Sequence, residues 1–171
     1  DGDVATEVTR TVIVQDSTLP VITLTGDSTV YVEAGSNYTE LGATFTDNYD
    51  SPGFAIVGGD TVNTYILGTY TVTYNITDSE GNVAIEVTRI VIVRDSTSPV
   101  ISLTGDSIVY VETGSNYTEN GATFNDNYDA SGEAIIGGDT VDSSTLGTYI
   151  VTYNITDSNG NKAVEVRRRV I

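Results

Sequence analysis

The chain has 171 residues and a formal charge of −17, from 24 acidic and 7 basic side chains. Such a surface repels nucleic acid and anionic membranes, because both need clustered Lys and Arg. Cys and His are both absent, which excludes a disulfide framework, zinc-thiolate chemistry and thiol or imidazole catalysis.

Residues 1–15 contain GDVATEVTRTVIV from Gly2, which returns as GNVAIEVTRIVIV from Gly81. They read as the last strand of a preceding repeat. A free strand that completes a neighbouring subunit by β-augmentation is the alternative. The first residues thus already lie inside a recurring pattern, so the chain reads as an excerpt from something longer. No signal peptide or bilayer-long apolar run is recognisable.

From Asp16, DSTLPVITLTGDSTVYVEAGSNYTELGATF returns as DSTSPVISLTGDSIVYVETGSNYTENGATF from Asp95. Roughly three-quarters of the aligned positions are identical, and the register holds without a gap to the end of the chain, far beyond chance for an internal repeat. The expected division is therefore a strand over 1–15, one repeat over 16–94 and a second over 95–171.

Within the first repeat, PVITL and TVYVE predict a split first strand with a turn at Gly26-Asp27. LGATFTD from Leu41 predicts the second, AIVGG from Ala55 the third and DTVNT from Asp60 a short fourth. GTYTVTYNITD from Gly68 and NVAIEVTRIVIV from Asn82 predict long fifth and sixth strands. In the fifth, Tyr70, Val72, Tyr74 and Ile76 alternate with Thr71, Thr73, Asn75 and Thr77, giving one apolar face and one wet face. Acidic chains are often disordered, but this strict patterning argues for folding. No segment has helical periodicity. Six or seven short strands per repeat, with regular turns, predict an all-β chain of two tandem immunoglobulin-like β-sandwiches. LGTY at Leu67–Tyr70 and Leu146–Tyr149 matches the tyrosine corner of such sandwiches, a structural feature.

Taken together, D-S-T-x-P-V-I-x-L-T-G, V-Y-V-E-x-G-S-N-Y-T-E, G-A-T-F-x-D-N-Y-D and L-G-T-Y-x-V-T-Y-N-I-T-D-S-x-G-N resemble the bacterial immunoglobulin-like repeat first noted at the end of a pesticidal crystal protein. Hyalin-type and cadherin-like repeats of surface proteins are its relatives. The resemblance covers essentially the whole chain. It implies tandem arrays in adhesins, cell-wall proteins, S-layer proteins or fibre subunits, and no general catalytic activity.

The strongest chemical constellation is acidic. Each repeat has a linker Asp before Pro (Asp16, Asp95), a DNYD turn (Asp47 and Asp50; Asp126 and Asp129) and a DSxGN turn (Asp78; Asp157). Tracing the strands up and down a sandwich brings Asp16, Asp47, Asp50 and Asp78 to the end where the linker enters. Asp95, Asp126, Asp129 and Asp157 do the same in the second copy. Calcium suits such a cluster, because it takes six to eight oxygen ligands and extracellular modules bind it at about 10⁻⁴–10⁻³ M. Turn chemistry alone is the competing account, since Asp and Asn bond their own backbone in turns. Asn48, Glu33, Glu40 and Asp60 are further candidate ligands.

N-x-T sequons stand at Asn37, Asn75, Asn116 and Asn154, as candidate glycosylation sites or as chance triplets of a Thr-rich chain. Arg10, Arg89 and Arg168 recur in the last strand and read as structural partners of acidic neighbours. The GGD segments at Gly58 and Gly137 read as bulges or turns. Enzyme readings fail on inventory, since the only Lys is Lys162 and every acidic turn occurs twice.

The sequence thus predicts a non-enzymatic segment of an extracellular prokaryotic fibre, stalk, adhesin or surface layer, partnered by further copies of the repeat or protein, with no nucleic-acid or membrane partner. The rivals are a ligand-binding adhesin module and an accessory domain of a secreted hydrolase or toxin. Only Phe54 against Glu133 and Tyr65 against Ser144 break the symmetry in the way a ligand site would.

Overall fold

The computed structural model describes residues 2–171. Among them there is no helix, and every regular element is a strand. The chain is all-β, with two immunoglobulin-like sandwiches built from four sheets.

The first repeat carries β1 (Val21–Leu24), β2 (Thr29–Glu33), β3 (Ala43–Thr46), β4 (Gly53–Phe54), β5 (Ile56–Gly59), β6 (Gly68–Asn75) and β7 (Val87–Arg94). They form a three-stranded sheet in the order β1-β3-β4 and a four-stranded sheet in the order β2-β7-β6-β5. The second repeat carries β8 (Val100–Leu103), β9 (Ile108–Val109), β10 (Ala122–Asn125), β11 (Gly132–Glu133), β12 (Ile135–Gly138), β13 (Tyr149–Asn154) and β14 (Val166–Val170). Its sheets repeat the pattern, β11-β10-β8 and β12-β13-β14-β9. The split first strand is real: its halves β8 and β9 pair in different sheets, antiparallel to β10 and parallel to β14.

The core follows from the alternation. In β13, Val151 and Tyr153 turn inward and meet Val170 of β14, while Ile101 and Leu103 of β8 and Ala122 of β10 close the cluster from the other sheet. Two apolar faces that alternate with polar ones bury each other in this way. The tyrosine corner forms in the second repeat, where the Tyr149 hydroxyl lies 2.9 Å from the Asp142 carbonyl and 3.0 Å from that of Thr145.

Close packing divides the chain into two compact units. Of the described residues, one holds 2–30, 39–61 and 70–90. The other holds 31–38, 62–69 and 91–171, so the ends of β2 and β7 and the start of β6, with the loops beside them, belong to it.

Three strand expectations need correction. DTVNT from Asp60 forms no strand. The Asp60 amide donates to the Thr71 carbonyl at 2.9 Å and the Asp60 side chain accepts the Thr71 amide at 2.7 Å, and the chain then turns at 64–66. The sixth strand begins at Val87 rather than Asn82, because residues 82–84 instead close the preceding turn through the Thr77–Val83 bridge. Residues 2–15 form no strand at all, and Val4, Val8 and Val14 are exposed. A short strand at Gly53–Phe54 was not anticipated.

Candidate functional site

The acidic turns are built by local chemistry first. Asp126 Oδ2 accepts the backbone amides of Tyr128 and Asp129, both at 3.0 Å, which fixes the DNYD turn. Asp157 Oδ1 accepts the amides of Asn159 at 2.9 Å and Asn161 at 2.7 Å, and Asn161 adds a side-chain bond to Oδ2. Asp129 then ties the two turns together by accepting both the amide and the hydroxyl of Ser158. The same bonds recur at Asp47, Asp78 and Asp50, the last accepting from Ser79.

These bonds leave a surplus of carboxylate oxygens. In the second repeat Asp95, Asp126, Asp129 and Asp157 each bring one oxygen within 4.8 Å of the others. Asp95 is buried, and burial pushes its carboxyl above the ordinary value, helped by the charges of Asp126 and Asp157. In the first repeat the corresponding set is Asp16, Asp78 and Glu80. There Asp47 and Asp50 join through hydrogen bonds rather than by direct approach, with Asn48 donating to Asp16 at 3.2 Å. Asp16 Oδ2, Asp47 Oδ1 and Asp126 Oδ1 are buried atoms with no hydrogen-bond partner. Buried polar oxygens ordinarily have one.

The sequence did not single out Glu80. In the second repeat Asn159 stands at its position and donates to Asp95 Oδ2 at 2.9 Å. The two sites are therefore chemically distinct: one replaces a carboxylate by an amide donor where the other keeps the charge.

The supplementary candidates scatter. Glu40 is half-buried against the buried Arg89 rather than placed with the acidic turns. It accepts from the Tyr74 hydroxyl and the Gly42 amide and pairs with Arg89, which is 1% exposed. Glu119 does the same with Tyr153, Gly121 and Arg168. Burial opposes the ionisation of Glu119, but the hydroxyls of Tyr117 and Tyr153, the Gly121 amide and Arg168 outweigh it and hold its carboxyl below the usual range. Arg89 and Arg168 are thus structural, as expected, whereas Arg10 lies in the exposed leading segment. Asp60 serves the backbone bracket described above.

Glu33 has a separate role. It accepts the amide and hydroxyl of Ser96, the amide and hydroxyl of Thr97, and the side-chain amide of Asn127. All of these residues belong to one compact unit. Burial resists ionisation there, but the donors prevail and lower its carboxyl to about 2. Asn37, Asn116 and Asn154 are exposed and Asn75 is half-buried, with Asn75 and Asn154 donating to Glu86 and Glu165.

Sequence comparison matches the family described as bacterial surface protein, Ig-like domain, twice, at residues 22–93 and 101–171. The chain belongs to that family. It is also 38% identical over 168 residues to hyalin of Strongylocentrotus purpuratus, a match covering 91% of this chain and 14% of hyalin. The chain therefore spans a small part of that relative. Bacterial surface Ig-like domains are typically non-catalytic.

Proposed function

We propose that the chain is a non-enzymatic, load-bearing segment of a cell-surface or extracellular array, in which Ig-like repeats follow end to end and divalent cations stiffen their acidic ends. In quasi-linear arrays each repeat works through its neighbours, and a unit whose acidic turns occur in both repeats suits that role better than a single-site catalyst. The observation that carries the cation half is the set of buried, unpartnered oxygens at Asp16, Asp47 and Asp126. They sit among carboxylates that would otherwise repel one another.

The donor set fits calcium: all ligands are hard oxygens, with no His or Cys. In the second repeat Asp95, Asp126, Asp129 and Asp157 would hold the ion. In the first, Asp16 and Asp78 would hold it with Glu80, and Asp47 supports it from the adjoining turn. Bound calcium supplies charge neutralisation and cross-links two turns to the linker.

Thermal melting with calcium and with chelator tests the cation half. Calcium raises the melting temperature of the wild type, and Asp126→Asn abolishes most of that rise. An identical melt in both buffers removes the cation from the account. Imaging of the native material tests the array half.

A further inference from the structure

We propose that Asn159 is a site of spontaneous deamidation. The reaction turns the amide that faces the linker Asp95 into a carboxylate, the group the first acidic end already carries at Glu80. Its effect on cation binding rests on the calcium reading proposed above.

The reaction needs only the chain and water. The backbone nitrogen of the residue after the Asn attacks the side-chain Cγ and gives up its proton. A new C–N bond forms, the side-chain nitrogen leaves as ammonia, and a cyclic imide remains. Water then opens the imide at either carbonyl and leaves Asp or its β-linked isomer. Gly after the Asn favours the attack, since no Cβ crowds the nitrogen. Asn is a thermolabile residue. The chain has two Asn-Gly pairs, Asn120-Gly121 and Asn159-Gly160.

The two pairs sit in different surroundings. The Gly121 amide, which would be the nucleophile at the first, donates to Glu119 Oε1 at 2.7 Å. That carboxylate is itself fastened by Tyr117, Tyr153 and Arg168. The Gly121 carbonyl accepts the Thr104 amide at 3.0 Å. Closing an imide at Asn120 breaks into this set. At the second pair, Ser158, Asn159 and Gly160 form an exposed turn. The Gly160 amide makes one long bond, 3.4 Å to the Asp157 carbonyl. A Cβ on Gly160 would meet nothing within 4 Å, so the turn has room to rearrange. Opposing the reaction are the bonds of Asn159 Nδ2 to Asp95 at 2.9 Å and to the Ser158 hydroxyl at 3.4 Å, both made by an exposed side chain.

The position of Asn159 gives the change its consequence. Its Nδ2 lies 2.9 Å from Asp95 Oδ2, so an oxygen in its place joins the set of Asp95, Asp126, Asp129 and Asp157. Glu80 is its counterpart, and the Glu80 carboxylate stands in the corresponding set with Asp16 and Asp78. Deamidation takes a donor from the buried Asp95 and puts a like charge beside it. Without a cation that repulsion destabilises the end; with one, the added hard oxygen strengthens its hold.

Peptide mapping by mass spectrometry tests this on the folded 171-residue chain, incubated in mildly alkaline buffer with chelator. Asn159 should convert at least about tenfold faster than Asn120. In denaturant the two rates should converge, because each Asn then precedes an unrestrained Gly. An Asn159 that keeps its amide in the folded chain and loses it in the unfolded one overturns the proposal. Equal rates at the two positions in the folded chain overturn it as well. The variant Asn159→Asp supplies a second readout: it should melt below the wild type in chelator and gain more from calcium. Equal gains overturn the role given to the new carboxylate. A melting temperature that ignores calcium in both proteins removes the cation reading and that role with it, whereas the contrast between Asn159 and Asn120 needs no cation.

Discussion

Arg89 and Arg168 show how a single side chain organises each sandwich. Each guanidinium is enclosed by three backbone carbonyls and a glutamate that also takes a tyrosine hydroxyl. A buried charge held this way is costly to leave half-paired, so Arg168→Met should cost about 3–5 kcal/mol in chemical denaturation through the stranded Glu119. Changing Glu119 and Arg168 together to apolar residues should recover much of that loss. Glu33 makes a different prediction. Its folded value of about 2 lies below the ordinary 4.5. The unfolded chain therefore binds its proton first as pH falls. The stabilisation is complete above about pH 4.5 and is lost progressively toward pH 2. Glu33→Ala should lower the melting temperature at neutral pH and flatten its fall over that acid range. An acid limb as steep as that of the wild type would remove Glu33 from this role.

At the scale of elements, most strands were legible because one face of each is apolar and the other is not. Tyr70 to Ile76 is the clearest case, with Val72 and Tyr74 buried in alternation. DTVNT misled because its β-favouring Val62 and two Thr are overruled by the side chain of Asp60, which captures the Thr71 amide from across the turn. The pairing of Glu40 with Arg89 was illegible because the partners lie 49 residues apart and nothing in spacing distinguishes Glu40 from a turn carboxylate. Glu80 was hidden in the variable position of DSxGN, where a single difference between the copies decides whether a carboxylate or an amide faces the linker Asp. The convergence of Asp95, Asp126, Asp129 and Asp157 was legible, since strand direction alone sends their loops to one end.

The GGD segments belong to this scale too. Gly138 has φ of +80°, and a Cβ there would lie 2.3 Å from the Ile150 carbonyl oxygen. Gly121 has φ of +74° with nothing within 4 Å. Gly121→Ala should therefore cost about 1–2 kcal/mol from backbone conformation alone. Gly138→Ala should cost clearly more, because β12 must also move away from β13. Equal losses would mean that the bulge relaxes freely.

For the whole molecule, the account joins membership of a bacterial surface family to a chain whose strands and acidic turns recur in one register. Calcium at the acidic ends is a support for that arrangement with a test of its own. The array itself is tested most directly by negative-stain microscopy of the protein isolated from its native source in calcium-replete buffer. The account predicts fibres or sheets with an axial repeat equal to one or two Ig-like domains. Dispersed single particles under those conditions would contradict it.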